Sequence, residues 1–209
     1  MNAPRVLLAD DHVILLEALK RLLEPHCNVI GVATDGRSLL EMAGRLRPDV
    51  IISDIYMPNL NGLDACRIIT SKGGNKVIFL TVTEDPDTAA EAIRRGALGY
   101  VLKKSAPAEL FEAIQTVRLG RPYISPAVTT EPPNVFIARA RSHRRETPIT
   151  MRQREVLQLL AEGRSMKEAA EMLKLSTRTI AFHKYRMMEL LGLTRNAELV
   201  RYATQNGLS

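Results

Sequence analysis

Five times between residues 6 and 119, a short run of aliphatic and β-branched residues gives way to a stretch with helical spacing. The runs are Val6–Ala9, Val29–Ala33, Val50–Ser53, Val77–Thr81 and Gly99–Leu102; the helical stretches are Val13–Leu23, Ser38–Arg47, Leu63–Ser71, Pro86–Arg95 and Pro107–Leu119. Strands separated by a whole helix cannot pair as hairpins. The alternation therefore predicts a parallel sheet with crossover helices on both faces. Ligands of such open sheets gather at the carboxyl ends of the strands.

Those ends carry polar and charged residues. Asp10 and Asp11 close the first run, Asp54 the third, Thr81 the fourth and Lys103 the fifth, and a loop from Pro58 to Gly62 follows Asp54. Three carboxylates in one cleft repel one another and raise their own pKa values unless a cation sits among them. An oxygen-only cluster suits Mg²⁺. A carboxylate supported in this way is a nucleophile toward phosphorus, which would give an aspartyl-phosphate. A lysine ammonium and a hydroxyl such as that of Thr81 would then meet the phosphoryl oxygens. His12 as a softer metal ligand is set aside here, because it follows the acidic pair and has no second histidine near it in sequence. No glycine-rich phosphate fingerprint follows any of the five runs, which argues against dinucleotide and P-loop nucleotide binding.

The charge divides the chain. Residues 1–120 hold 14 Lys and Arg against 15 Asp and Glu, a net −1, while residues 121–209 hold 15 against 8, a net +7. Only the second part is expected to meet a polyanion. No apolar run is long enough to span a membrane and no signal-peptide pattern opens the chain, so the expectation is a cytoplasmic protein with no membrane partner. Cys27 and Cys66 match no metal-ligand spacing and are read as free thiols.

Between the two parts, residues 121–147 read as a linker. Pro122, Pro126, Pro132 and Pro133 break any long helix, a basic run extends from Arg139 to Arg145, and one short helix is expected around Asn134–Arg141. As flexible chain this segment would span roughly 30 Å. From Pro148 onward the pattern is helical and well punctuated. Thr150 with Gln153 and Ser165 with Glu168 read as capping boxes, Gly163 and Gly192 as helix stops, and Ser176 as the cap of a helix from Thr177 to Leu191. A fourth helix is expected over Asn196–Asn206.

Two short helices joined by a tight turn, Lys167–Leu173 and Thr177–Leu191, suggest helix-turn-helix DNA recognition. On the second, Ile180, His183, Met187, Leu190 and Leu191 recur at core spacing, while Arg178, Ala181, Phe182 and Tyr185 share the opposite face. Arginine pairs with guanine and an aromatic ring covers a thymine methyl. Thr177 opens this helix, and Lys184 and Arg186 are expected to flank the face and meet phosphates. Two other classes stay open on these residues alone. One is a metal-dependent phosphotransferase or phosphatase acting on a small molecule; the other is an interaction protein whose helical part binds protein or RNA.

The first 120 residues resemble the receiver domain of two-component response regulators. Asp10, Asp11, Asp54, the Pro58 to Gly62 loop, Thr81, Tyr100 and Lys103 stand in order and spacing where that family keeps its working residues. Residues 148–209 resemble the LuxR-type helix-turn-helix through Ile149 to Leu157, Gly163, Ser165, Lys167 to Ala170, Leu175, Ser176, Arg178 to Ile180, His183, Met187, Leu190 to Leu193 and Glu198 to Val200. The whole chain thus resembles a response regulator of the NarL/FixJ class. The resemblance implies a flavodoxin-like (βα)₅ fold with a doubly wound sheet of order 2-1-3-4-5, followed by an all-α four-helix domain. It implies Mg²⁺ at Asp10, Asp11 and Asp54, and phosphorylation of Asp54 by a sensor histidine kinase. It further implies catalytic roles for Lys103 and Thr81, and a switch at Thr81 and Tyr100. The expected product is a transcription factor rather than an enzyme of metabolism. It would bind promoter double-stranded DNA as a homodimer when phosphorylated, with RNA polymerase as a further partner.

Three further points of the comparison with this family bear on mechanism. Lys103 is followed by Lys104 and Ser105, and the spacing from Thr81 favours Lys103 as the inward lysine. Tyr56 and Thr83, two places beyond Asp54 and Thr81, flank by analogy the line along which water would attack the aspartyl-phosphate, which predicts a long-lived phosphorylated state. Ala181 and Glu189 replace residues that are often polar or basic in relatives, which predicts a different DNA sequence. The segment Glu198–Tyr202 is expected to serve as a dimer interface.

Overall fold

A computed structural model describes residues 3–58, 60–71, 73, 75–142 and 149–205. The chain forms two compact units, the first ending at residue 143 and the second beginning at residue 144. Among the described residues no helix is long and apolar enough to cross a membrane.

The first unit runs β1 (Arg5–Ala9), α1 (Val13–Leu23), β2 (Asn28–Ala33), α2 (Gly36–Leu46), β3 (Val50–Ser53), α3 (Gly62–Ser71), β4 (Lys76–Thr81), α4 (Pro86–Arg94), β5 (Gly99–Leu102), α5 (Ala106–Arg118), β6 (Tyr123–Ile124) and α6 (Pro133–Ser142). All strand pairs are parallel, in the order 2-1-3-4-5-6. Strand side chains alternate between faces. Val6, Leu8, Val50, Ile52, Ile78, Leu80 and Val101 meet α1 and α5 on one side. Leu7, Ile51, Phe79 and Tyr100, also fully buried, lie on the other, where α2, α3 and α4 pack. The sheet is doubly wound as expected, and the five βα units fall within two residues of their sequence positions.

Short polar residues start the helices. Asp35 caps α2 by accepting from the Arg37 and Ser38 amides, and Asp85 caps α4 in the same way ahead of Pro86, which stands in its first turn. The loop after β3 needs two glycines. A β-carbon on Gly62 would lie 2.1 Å from the Asp54 carbonyl oxygen, and one on Gly36 would lie 2.0 Å from that of Leu60. Only hydrogen fits at either place, so α3 can begin directly against the end of β3.

Residues 121–142 correct the linker expectation. Tyr123 and Ile124 pair with Gly99 and Tyr100, adding a sixth strand at the β5 edge. The Ser125 amide donates to the Tyr100 carbonyl, and the buried Ser125 hydroxyl oxygen accepts from the Leu102 amide at 3.1 Å and pairs with Glu109. Helix α6 then packs on α4 through Phe136, Ile137 and Ala140, all buried. The physical reason is burial: the edge of β5 would otherwise present unpaired backbone groups, and Phe136 and Ile137 would otherwise sit in water.

Among the described residues the second unit holds four helices: α7 (Met151–Ala161), α8 (Met166–Leu173), α9 (Thr177–Leu191) and α10 (Asn196–Gln205). Both capping boxes form with reciprocal hydrogen bonds, and Ser176 caps α9 through the Thr179 amide. Gly192 takes a left-handed conformation with φ 66° and ends α9. The core gathers Val156, Leu157, Ala169, Ala170, Ile180, Met187, Leu199 and Ala203. Arg152 donates to the Leu173 carbonyl at 3.0 Å and so ties α7 to the end of α8, just before the turn into α9.

Candidate functional site

The sheet register brings the acidic residues together. Ladder hydrogen bonding continues one residue past the strands: the Asp54 amide donates to the Ala9 carbonyl at 2.8 Å and the Asp10 amide to that of Ala33 at 3.1 Å. Asp10 and Asp54 therefore stand side by side at the carboxyl edge, and both are buried. Lys103, in a 3₁₀ turn after β5, places its Nζ 2.8 Å from Asp54 Oδ2 and 2.7 Å from Asp10 Oδ2. Lys104 points elsewhere and pairs with the exposed Glu84, so the inward lysine is Lys103.

Electrostatics at this edge are finely opposed. Burial pushes the Asp54 carboxyl above its ordinary range; the Lys103 charge and hydrogen bond pull it down, Asp10 adds to the rise, and the Ile55 amide lowers it. For Lys103, burial lowers the ammonium pKa, but Asp54 and Asp10 together leave it raised and the group charged. Asp54 Oδ1 accepts from the Ile55 amide at 2.7 Å, which fixes the carboxylate plane.

Ligand atoms of Asp10, Asp11, His12 and Asp54 all lie within 4.8 Å of one another. Three carboxylates at that spacing fit a hard divalent cation, whose ligands sit at about 2.0–2.1 Å for Mg²⁺. His12 is the residue that sequence reasoning set aside. Its Nδ1 lies 3.0 Å from Asp10 Oδ1 and 2.9 Å from Asp11 Oδ1. Nothing in the local pattern marks this; it depends on the rotamer of a residue at the mouth of the site.

A set of buried hydroxyl groups gathers at the end of β4. Thr81 ends β4, fully buried, and its Oγ1 accepts from the Thr83 amide at 3.3 Å. The Tyr56 hydroxyl lies 3.1 Å from Thr83 Oγ1, and the Tyr100 hydroxyl donates to the Thr83 carbonyl at 2.8 Å. Tyr56 is buried rather than a surface tyrosine. Burial holds the Tyr100 phenol well above its usual range, with Tyr56, Asp85 and Asp54 adding to the shift. The hydroxyl is therefore a permanent donor.

On α9 the exposed residues near the N-terminus are Thr177 and Arg178, with Ala181 and Phe182 half-buried and Tyr185 60% exposed. Lys184 and Arg186 depart from the expected flanking positions: both are only 8% exposed. Helical spacing gives the reason. Lys184 lies four residues from Ile180 and three from Met187, and Arg186 lies three from His183, so both stems enter buried stripes of the helix. The Lys184 ammonium sits 5.0 Å from the Tyr185 ring centroid, and Arg186 pairs with Glu189. Leu190, expected in the core, is 40% exposed.

Known proteins carry both halves. Residues 6–115 match the response regulator receiver domain family, and residues 147–203 match the family described as bacterial regulatory proteins, luxR family. The transcriptional regulatory protein MctR of Rhizobium johnstonii is 34% identical over 207 residues, covering 98% of this chain and 94% of its own. The RcsB response regulator of Salmonella typhimurium, solved in a study of conformational dynamism for DNA interaction, aligns with a TM-score of 0.57 at 28% identity, over 97% of this chain and all of that one. A structure of two RcsB dimers bound to two parallel DNAs aligns with a TM-score of 0.58 at 27% identity, over 97% and 98% of the two chains. With a cluster of acidic side chains at the carboxyl edge of the first unit and a helix-turn-helix in the second, the chain belongs to the two-component response regulators that join a receiver domain to a LuxR-type DNA-binding domain and act as transcriptional regulators.

Proposed function

We propose that Asp54 is the phospho-acceptor of this regulator and that its phosphorylation by a sensor histidine kinase controls binding of promoter DNA through α9. The observation that carries the reading is the Asp54 carboxylate at the carboxyl edge, 2.8 Å from the Lys103 ammonium and inside the acidic cluster. A carboxylate oxygen of Asp54 attacks the phosphorus of a phosphohistidine. The new P–O bond forms as the P–N bond breaks, and the histidine nitrogen leaves with its electron pair. Asp10, Asp11 and Asp54 would hold Mg²⁺, which when bound neutralises charge on the phosphoryl oxygens. Lys103 follows the charge from carboxylate to phosphoryl group, and the Thr81 hydroxyl donates to a phosphoryl oxygen.

The phosphoryl group adds about −1.5 to −2 of charge at Asp54. It acts at a distance by biasing a two-state element, and the Thr81, Thr83 and Tyr100 chain serves as that element. In the second unit, Thr177, Arg178, Ala181, Phe182 and Tyr185 face the bases; Lys184 and Arg186 are left out because their stems are buried. A homodimer, with Glu198–Tyr202 of α10 as its interface, would set two copies of α9 about 34–36 Å apart on a pseudo-palindrome. The reading is that of a cytoplasmic transcription factor, with RNA polymerase as a further partner at the promoter. The test compares DNA binding by wild type and Asp54→Asn with a small phosphodonor and Mg²⁺. Tighter binding by wild type alone is expected. Equal affinity of the two proteins for the same sites would remove phosphorylation control.

A further inference from the structure

The imidazole of His12 belongs to the acidic site. Its Nδ1 lies 3.0 Å from Asp10 Oδ1 and 2.9 Å from Asp11 Oδ1. The His12 backbone amide also donates to Asp10 Oδ1 at 2.9 Å, so the turn from β1 into α1 holds the residue against the acid it follows. One ligand atom from each of Asp10, Asp11, His12 and Asp54 falls within 4.8 Å of the others. Trans ligands around an ion at 2.0–2.1 Å are separated by about 4 Å. The set therefore lies within about an ångström of the spacing that a bound ion would impose. The ring is not used to cap α1: His12 stands at its N-cap but makes no side-chain capping bond, its Nδ1 meets the two acids, and its side chain is 60% exposed.

This changes the chemistry of the site. Three carboxylates alone form a hard, oxygen-only set that suits Mg²⁺, whereas a neutral imidazole nitrogen is a borderline ligand that favours first-row transition ions over Mg²⁺. We propose that His12 is a metal ligand of the receiver and that it biases the site toward transition ions such as Mn²⁺ over Mg²⁺. The inference rests on the reading of Asp10, Asp11 and Asp54 as a divalent-cation site, and goes beyond it in naming a nitrogen ligand and the selectivity that follows. The imidazole contributes at the solvent-facing side of the cluster, so it adds to the carboxylates without displacing Lys103 from Asp54.

Calorimetric titration of the full chain with MnCl₂ and with MgCl₂, for wild type, His12→Ala and Asp54→Asn, separates the two ideas. Loss of one ligand from a formed site is expected to weaken Mn²⁺ binding by about tenfold or more, while Mg²⁺ affinity in His12→Ala stays within about twofold, since Mg²⁺ replaces an imidazole readily with water. The electron spin echo of bound Mn²⁺ gives a second readout that a structural role would not move. Modulation from a directly bound ¹⁴N is expected in wild type and absent in His12→Ala, which still carries the chain's other three histidines. An unchanged Mn²⁺ to Mg²⁺ preference in His12→Ala, or no ¹⁴N modulation in wild type, overturns the proposal while leaving the carboxylate site standing. Failure of wild type to bind either ion, with Asp54→Asn indistinguishable from it, overturns the metal site and this proposal together.

Discussion

Helix α6 is held to α4 chiefly by one ring, and removing it should release the helix without unfolding the sheet. Phe136 is fully buried, whereas Ile137 keeps 8% of its surface exposed and Ala140 has little to bury. The other ties are slender: Arg94 reaches the Ala140 carbonyl at 3.5 Å, and Arg139 pairs with Glu131 on the surface while its guanidinium lies 5.2 Å from the centre of the Phe136 ring. Replacing a buried phenylalanine by alanine costs about 3–5 kcal/mol, the lost transfer energy plus the cavity left behind. A single docked helix ending a compact unit has less local stability than the sheet, so the cost is met by opening α6. At 1.4 kcal/mol per factor of ten, a loss of about 3 kcal/mol raises the open population by roughly 10²-fold. Amide hydrogen exchange of peptides covering 133–142 should accelerate by about that factor in Phe136→Ala, while peptides from β1, β3 and β4 keep their protection. Val135→Ala is the control, since Val135 is 53% exposed on the same helix and should change stability by less than about 0.5 kcal/mol. Uniform acceleration across the whole unit, or equal effects of the two substitutions, would refute the idea that α6 docks as a separable element.

Two further predictions concern charge and kinetics. Burial raises the Glu91 carboxyl, but hydrogen bonds and charge from Arg95 and Arg94 outweigh it and hold the group below its ordinary value of 4.5. A depressed carboxyl stabilises the folded state when ionised, so its contribution is present above pH 4.5 and lost as pH falls below it. Glu91→Gln should therefore cost about 1–3 kcal/mol in urea unfolding at pH 7, and the difference from wild type should shrink toward pH 4; a constant gap would show that packing, not ionisation, carries the effect. On the proposed reading, Tyr56 with its hydroxyl on Thr83 shields the aspartyl-phosphate from water. Phosphorylated Tyr56→Asn should thus decay several-fold faster than wild type, and an equal or slower decay would remove that role.

The βα alternation was readable because a change of period from 2 to 3.6 is a local property of the chain. Asp10, Asp54 and Lys103 could be placed together because each follows a strand, and a parallel sheet brings every carboxyl end to one edge. Thr83 and Tyr56 were located but not joined; their contact depends on packing between two loops. Strand β6 had no local signal, since a strand of two residues cannot display a period. Helix α6 was expected at its place in the sequence, but its packing against α4 was not. Val135, Phe136, Ile137 and Ala140 are interleaved with arginines, and what selects the buried three is the surface of α4, which lies some forty residues earlier in the chain. Lys184 and Arg186 misled for a related reason: charge in the sequence suggested exposure, while spacing from Ile180, His183 and Met187 placed their stems in buried stripes.

The contacts of Thr83 explain how a charge at Asp54 could produce two discrete states. The Thr83 amide donates to Thr81 Oγ1, the Thr83 hydroxyl meets Tyr56, and the Thr83 carbonyl accepts the Tyr100 hydroxyl. One residue thus ties the end of β4 to the loop after Asp54 and to β5. If Thr81 turns its hydroxyl toward a phosphoryl oxygen, as proposed, the Thr83 amide loses its acceptor and the segment must shift. Tyr100 cannot follow by degrees. Its hydroxyl is fully buried, its high pKa keeps it protonated, and leaving that donor unpaired costs about 1–3 kcal/mol. The ring must either keep the Thr83 carbonyl or leave for another acceptor, and intermediate positions pay the desolvation cost without a partner. Strand β5, which carries Tyr100, is in turn paired to β6 through Tyr100 and Ile124 and through Ser125. A new position of Tyr100 that shifts β5 would therefore be felt at residues 123–125, the edge strand paired to it.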